Sequence, residues 1–406
     1  MLQSKLKTIL LALGVILLAI ALISFPKESL QASVNGLNMW WKVVFPSLLP
    51  FFIVSELLIG FGVVKFIGVL LEPLMRPLFR VPGVGGFVWA MGLASGFPAG
   101  AKLTARLRQE KQLTLHEAQR LVCFTNASNP LFIFGAISVG FFHNATVGII
   151  LALSHYLGNI CVGLMMRFYG PNERHDDSKK EVGIVRSAFR SLHKTRLNEK
   201  RPFGQLLGDA VNSSIQTLLM VGGFIIFFSV FNRLLSLINV SDALSYILSF
   251  LLNMLSLPVE LSAPLMSGIF EITTGSQLTS QTEGTSLLHQ LIITSFILGF
   301  SGLSVQAQVA SILAETDIRF KPFFFARIIQ GCLAAVFTFL LWKPLYLNLK
   351  DTMSSSNIIT VFAHENTQTW MFLLWDKMIT FGPILTILSL CVYIYYNAHK
   401  LRSHRI

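Results

Sequence analysis

Apolar residues run along this 406-residue chain in blocks of membrane-spanning length, and the polar positions that interrupt them carry most of its information. Thr8 to Phe25 is uncharged, preceded by Lys5 and Lys7 and followed by Pro26-Lys27-Glu28. A helix needs about 20 apolar residues to cross a bilayer, so this run is long enough, and the leading lysines put its N-terminus in the cytoplasm. A cleaved signal peptide has the same opening. Further candidate blocks cover 43–60, 146–168, 211–231, 287–300, 322–341 and 378–396, with shorter or interrupted ones at 87–93, 117–142, 243–257 and 263–275. The stretch 63–78 carries Lys65, Glu72, Arg76 and two prolines, which suits an interfacial or re-entrant helix. The pattern predicts an all-α polytopic membrane protein with about seven or eight transmembrane helices plus re-entrant helical hairpins, in two pseudo-repeated halves.

Boundaries follow from where the charges fall. The predicted units are an N-terminal anchor (1–36), a first membrane half (37–170), a basic cytoplasmic linker (171–202), a second membrane half (203–345), an outward loop (346–376) and a last helix with a basic tail (377–406). From 172 to 202 nine Lys or Arg face five acids, which reads as a solvated cytoplasmic loop.

The interruptions repeat. Pro50 precedes Glu56-x3-Gly60, and Pro264 precedes Glu271-x3-Gly275; the breaks Ser95-Gly96-Phe97 and Ser301-Gly302-Leu303 follow the two glutamates. A third break is Asn126-Ala127-Ser128-Asn129-Pro130. Where a helix unwinds inside a bilayer, its freed N–H and C=O groups must line an enclosed cavity or bind something, so paired breaks in two halves point to a solute site. The candidate solute-binding residues are therefore Ser95, Gly96, Ser301 and Gly302 at the breaks, with Asn126 and Asn129 from the first half. Gln306 and Gln308 flank the second break. Glu56 and Glu271 join them because a carboxylate in a helix centre costs about 3 kcal/mol and is retained for function or pairing. Structural hydrogen bonding to broken backbone remains the alternative for every one of them.

Other polar residues admit two readings. His155 and Asn159, one turn apart, form either a proton relay or a helix-packing contact, and Lys102, Arg106, Arg108 and Lys111 either attract anions to the hairpin mouth or set topology.

Composition supports this picture: 53% of residues are hydrophobic, mean hydropathy is +0.63 and 13% are charged, against about 25% in soluble domains. The net charge of +12 sits beside apolar runs, where the positive-inside rule explains it without nucleic acid. The four cysteines are scattered and form neither a zinc pair nor a CxxC motif, so no metal and no cofactor are expected. His364-Glu365 lacks the second histidine of HExxH, Gly96 to Lys102 lacks phosphate-loop spacing, and no GxSxG occurs. An enzyme is not expected. The partners are the lipid bilayer and a small-molecule or ion solute, and a homo-oligomer is compatible with the reading.

Phe45-Pro-Ser-Leu-Leu-Pro-Phe-Phe-Ile-Val-Ser-Glu-Leu-Leu-Ile-Gly60, Ser95-Gly-Phe-Pro-Ala-Gly-Ala-Lys102 and Gly299-Phe-Ser-Gly-Leu-Ser-Val-Gln306 resemble the YlbJ-type sporulation integral membrane proteins. That family carries the nucleoside-recognition Gate domain and is similar to the sporulation membrane protein that moves dipicolinic acid across the outer forespore membrane. The resemblance implies two Gate-like halves, a bacterial cell membrane location in the mother cell or outer forespore membrane with both termini cytoplasmic, and a requirement for spore cortex formation. Two roles follow as expectations: a transporter or channel component for a small polar or anionic metabolite, or a non-transporting organiser that recruits cortex-assembly proteins.

Overall fold

Proline, glycine and capping residues decide where the apolar blocks end. In the computed structural model, which describes residues 2–171, 184–199 and 201–347, α1 (Leu2–Ser24) gives way at Pro26 to α2 (Pro26–Met39), turned by 101°. A π-helical turn at Trp40–Val44 leads into α3 (Phe45–Gly60), and Gly62, at φ +80°, turns the chain by 82° into α4 (Val63–Phe79). The first half continues with α5 (Val84–Ser95), α6 (Ala99–Gln109), α7 (Leu115–Thr125), a π-helical segment Leu131–Phe141 and α8 (Ala145–Met166). Thr114 and Glu117 form a reciprocal capping box at the start of α7, and Asn144 caps α8.

The second half contains α10 (Phe203–Leu237), α11 (Val240–Met254), α12 (Ser262–Phe270), α13 (Ile272–Ser280), α14 (Leu287–Phe300), α15 (Gly302–Ala314) and α16 (Phe320–Leu341), with α9 (Ile184–Asn198) preceding it. No strand occurs among the described residues. Among the described residues, four helices or broken helices are long and apolar enough to cross a bilayer, and up to six when each bent pair counts as one span. The expected crossing 378–396, the outward loop and the basic tail lie outside the described residues.

Two kinds of interruption alternate. At the first, the helices fold back: Gly92 on α5 lies against Gly100 on α6, and a Cβ on Gly275 of α13 would lie 2.1 Å from the Gly268 Cα of α12. These are hairpins. At the second kind the chain continues in the same direction: α7 passes through 126–130 into Leu131–Phe141, and α14 with α15 forms one 28-residue span, Leu287–Ala314. Each half is thus a hairpin followed by a broken span. The pairing of breaks expected from sequence changes accordingly: Ser95-Gly96 corresponds to Glu271, both at hairpin turns, and Ser301-Gly302 corresponds to 126–130. Sequence matching aligned the Ser-Gly dipeptides, but the local geometry they serve differs.

The two hairpins enter from opposite ends. The foot of α6 is tied to the loop after α15, where Arg108 Nε and Nη2 donate to the Asp317 carboxylate at 2.9 and 2.6 Å. The hairpin α12–α13 leads instead into the start of α14, one full span away. At that other end Asn144 Nδ2 reaches the Tyr346 hydroxyl at 3.2 Å. This is an inverted repeat, an arrangement typical of transporter folds.

Close helix packing holds the frame. A Cβ on Gly299 of α14 would lie 2.7 Å from the Gly331 Cα of α16, so only glycine allows that approach. The 35-residue α10 is about 52 Å long, well beyond a 30 Å hydrocarbon layer, and packs along α2 through Ser229 Oγ to Ala32 O at 2.8 Å. One expectation fails here. Residues 184–198 of the linker form a helix, because Ala188 and Leu192 make an i, i+4 strip that packs on α4, with the Phe189 and Phe66 rings 5.0 Å apart. The density of charge had masked that strip.

Candidate functional site

The four interruptions converge. At the first hairpin turn Gly96 has φ +81° and ψ −167°, a conformation open only to glycine, and a Cβ there would strike the Asn129 side chain at about 3.0 Å. Asn129 Nδ2 donates to Ser95 O at 3.0 Å while its Oδ1 accepts the Phe132 N–H at 2.7 Å, so one side chain satisfies a freed carbonyl and a freed amide. The Thr125 carbonyl at the end of α7 is pressed against the same hairpin: a Cβ on Gly92 or Gly100 would lie 1.9 or 2.0 Å from it.

The backbone of 126–130 is held from behind by three side chains. Arg327 on α16 donates to Asn126 O at 2.8 Å and to Cys123 O. The Ser128 N–H donates to His155 Nε2 at 3.0 Å, and the Tyr156 hydroxyl donates to Ser128 O at 3.1 Å.

At the second hairpin turn Glu271 is the N-cap of α13. Its carboxylate accepts the Thr273 N–H at 3.0 Å, the Thr274 N–H at 2.7 Å and the Thr274 hydroxyl at 2.9 Å. A negative charge at a helix N-terminus is favoured by the exposed amides and the macrodipole. At the second broken span Ser301 and Gly302 both take left-handed backbone, at φ +67° and +60°, and Gln306 Nε2 donates back to Phe300 O at 3.0 Å.

Between these elements lies a cavity of about 640 Å³, within the range of small-molecule sites. Ser95, Gly96, Asn129, Glu271 and Gln308 line it, together with Lys42, Phe97 and Phe132. Asn126, Ser301, Gly302 and Gln306 are absent from the wall and lie buried behind it. The Oγ atoms of Ser95, Ser128 and Ser301, both amide atoms of the Asn126 side chain and Gln306 Oε1 are buried without a hydrogen-bond partner. A second, more polar cavity of about 480 Å³ lies on the far side of the α12–α13 hairpin, and Glu271 and Thr273 border both.

Glu56 stands apart from the candidate site. It is buried, and its carboxylate is 3.2 Å from Lys102 Nζ, accepts from the Ser213 hydroxyl at 3.1 Å and pairs with Arg106. It neutralises the α6 cations instead of lining the cavity, and Lys102 and Arg106 are correspondingly engaged. His155 and Asn159 lie away from the cavity wall: Asn159 Nδ2 faces Gln330 Oε1 at 3.4 Å and His155 Nε2 accepts from the Ser128 N–H, while His155 Nδ1 and Asn159 Oδ1 are buried without a hydrogen-bond partner. No group of three or more His, Cys, Asp or Glu able to hold a metal occurs among the described residues.

Sequence reasoning missed Arg327 and Arg120. Arg120, buried on α7, donates to the carbonyls of Arg80, Tyr169, Gly170 and Pro171. The signal for Arg327 was present: it is an arginine inside the expected span 322–341, and such a charge is costly unless it has partners.

Residues 41–145 and 218–318 match the nucleoside recognition (Gate) family, each segment containing one hairpin and one broken span. The chain belongs to this family. It is 58% identical over 410 residues to the sporulation integral membrane protein YlbJ of Bacillus subtilis strain 168, a match covering 98% of each chain, and it is a YlbJ-type sporulation integral membrane protein. Among solved structures it is similar to a doubly substituted CNTnw in an outward-facing state (TM-score 0.40, 13% identity, 83% of this chain and 86% of that one). It is also similar to CNTnw in an inward-facing substrate-bound state (TM-score 0.41, 13% identity, 80% and 84%).

Proposed function

We propose that this protein is a transporter or channel component that moves a small polar or anionic metabolite across a sporulation membrane in support of cortex formation. One observation carries the reading: two hairpins entering from opposite ends and two broken spans meet at a cavity of about 640 Å³, with unpartnered hydroxyl and amide groups in and behind its wall. Unsatisfied polar groups inside a bilayer are costly, and a polar solute that completes them recovers that cost. The apolar surfaces of Phe97 and Phe132 suit a flat or ring-bearing solute. Binding and release need no covalent chemistry. In this reading the basic segments 171–202 and 319–321 face the cytoplasm of the mother cell, as the positive-inside rule favours, and the chain lies in the cell or outer forespore membrane.

The rival organiser role has one observation in its favour, the exposed basic face of α9 with Arg186, Arg190 and Lys194. The deciding experiment compares small-molecule contents of spores and mother cells in a deletion strain, a Glu271→Gln strain and a strain with those three cations replaced by Ser. Transport predicts a solute missing or misplaced in the first two, at normal Glu271→Gln protein abundance. Unchanged metabolites and normal sporulation in the Glu271→Gln strain, with loss in the α9 strain, would establish the organiser.

A further inference from the structure

Among the described residues, Arg327 is a buried charge without a carboxylate. Its side chain is 0% exposed, two turns into α16, with its guanidinium 5.2 Å from the Phe323 ring centroid. Among the described residues no acidic group lies within ion-pair distance of it. Its charge is met by backbone: Nη1 donates to Asn126 O at 2.8 Å and Nη2 to Cys123 O. Both carbonyls belong to the C-terminal end of α7, which stops at Thr125, buried inside the helix bundle.

A helix that ends there leaves up to four carbonyls without intrahelical donors and concentrates about half a negative charge at its C-terminus. In a low-dielectric interior such carbonyls are a cation site, the use that broken transporter helices make of them. Here the cation is covalently attached. Other freed carbonyls around the cavity are likewise met by side chains, Ser95 O by Asn129 Nδ2 at 3.0 Å and Phe300 O by Gln306 Nε2 at 3.0 Å. What stays unpartnered around these breaks is side-chain: the Ser95, Ser128 and Ser301 hydroxyls, both amide atoms of Asn126, Gln306 Oε1 and, on the guanidinium itself, Arg327 Nε.

We propose that Arg327 is a tethered cation: it takes the place at the C-terminal end of α7 that a free sodium or potassium ion would occupy, so that the first broken span keeps its shape without a bound inorganic cation. Arg327 is a positioning residue in this account. It holds Asn126 O and Cys123 O, and through them sets where Ser128 and Asn129 meet the cavity. The inference concerns the break itself, stands without the transport reading and is tested with no solute present.

The test uses the full-length protein in lipid nanodiscs, with thermal unfolding followed by tryptophan fluorescence in sodium, potassium or N-methylglucamine chloride at one ionic strength. Low-millimolar guanidinium, far below denaturing concentrations, serves as a probe. Wild-type protein should unfold at the same temperature in all three salts. Arg327→Ala should unfold several degrees lower and recover part of that loss on addition of guanidinium or sodium, but not of N-methylglucamine. Specific stabilisation of the wild type by sodium or potassium would overturn the proposal, as would an Arg327→Ala protein that is unaffected, or that is destabilised and indifferent to every cation. If the alanine variant does not fold, Arg327→Lys decides: near wild-type stability without sodium, or a loss that sodium or guanidinium relieves, supports the tethered cation, and a destabilised protein that no cation relieves refutes it. Should neither variant fold, the wild-type comparison decides alone.

Discussion

Asn129 and Ser95 join the first broken span to the first hairpin: the Asn129 side-chain amide donates to the Ser95 carbonyl at 3.0 Å, across 34 residues of sequence. The same side chain caps the Phe132 N–H at 2.7 Å. Asn129→Asp keeps the acceptor for Phe132 but turns an oxygen toward Ser95 O, so two acceptors face each other. Asn129→Ala removes both bonds. A buried group left unsatisfied costs about 1–3 kcal/mol. Both variants should lower the unfolding temperature of the purified protein, with Asp the worse because it adds a buried charge, and both should reduce heat-resistant spore yield. Wild-type stability in either variant would show that the tie is dispensable.

The approach of α5 and α6 to Thr125 depends on two glycines. A methyl group at Gly92 or Gly100 would lie 1.9 or 2.0 Å from the Thr125 carbonyl oxygen, closer than any real contact, and backbone on both sides prevents an easy escape. Gly223 on α10 has nothing within 4 Å of the corresponding position. Gly92→Ala and Gly100→Ala should therefore cut membrane abundance sharply, measured by immunoblot of tagged protein. Gly223→Ala should be neutral or slightly stabilising, since alanine favours helix over glycine by up to about 1 kcal/mol.

The sequence shows its helices where apolar periodicity is unbroken. The block expected at 287–300 is α14 to the residue, and 322–341 differs from α16 by two residues at one end. The presence of breaks at 95–100, 126–130, 271 and 301 was legible from Gly, Pro and Asn clusters, but not their kind. Whether a chain reverses or continues after a break depends on what packs beside it. Gly268 against Gly275 makes a hairpin, whereas the Arg327 guanidinium and Asn129 hold a span in line, and those contacts join residues up to 204 apart. Glu56 lies away from the cavity wall for the same reason. Its Glu-x3-Gly motif resembles that of Glu271, yet only Glu56 has Lys102 and Arg106 within reach. For α9 the information was present as an i, i+4 strip and was outweighed by surrounding charge.

That ion cluster gives a prediction distinct from the cavity. Replacing Glu56 with Gln leaves Lys102 and Arg106 without their shared carboxylate, and removing one partner of a buried pair costs about 3–5 kcal/mol. The figure here belongs at or below the lower end, because the Arg106 side chain is 34% exposed and also pairs with Glu110. Glu56→Gln should lower stability, whereas Glu56→Gln combined with Lys102→Met should recover part of the loss, since the most buried unpaired cation is then gone. If the double variant is no more stable than the single, Lys102 is not the cation that Glu56 compensates.

The clamp between Arg108 and Asp317 ties the foot of the first hairpin to the loop after α15, and its strength should follow pH in a defined direction. Hydrogen bonding to the Arg108 guanidinium holds the Asp317 carboxyl below its ordinary value of 3.8, so the folded state binds this proton less readily than the unfolded one. Such a group adds its full stabilisation above the ordinary value and loses it as pH falls through the lowered folded value. Asp317 is half-exposed, which screens the pair and limits it to about 0–1 kcal/mol. Asp317→Asn should therefore unfold at a slightly lower temperature than wild type from pH 5 to 8, with a constant gap. Below about pH 4 the gap should shrink and then close as the wild-type carboxyl takes up its proton. Raising salt at pH 7 should narrow it as well. A gap that widens on acidification would mean that Asp317 is held in its protonated form and that the clamp does not operate as a charge pair.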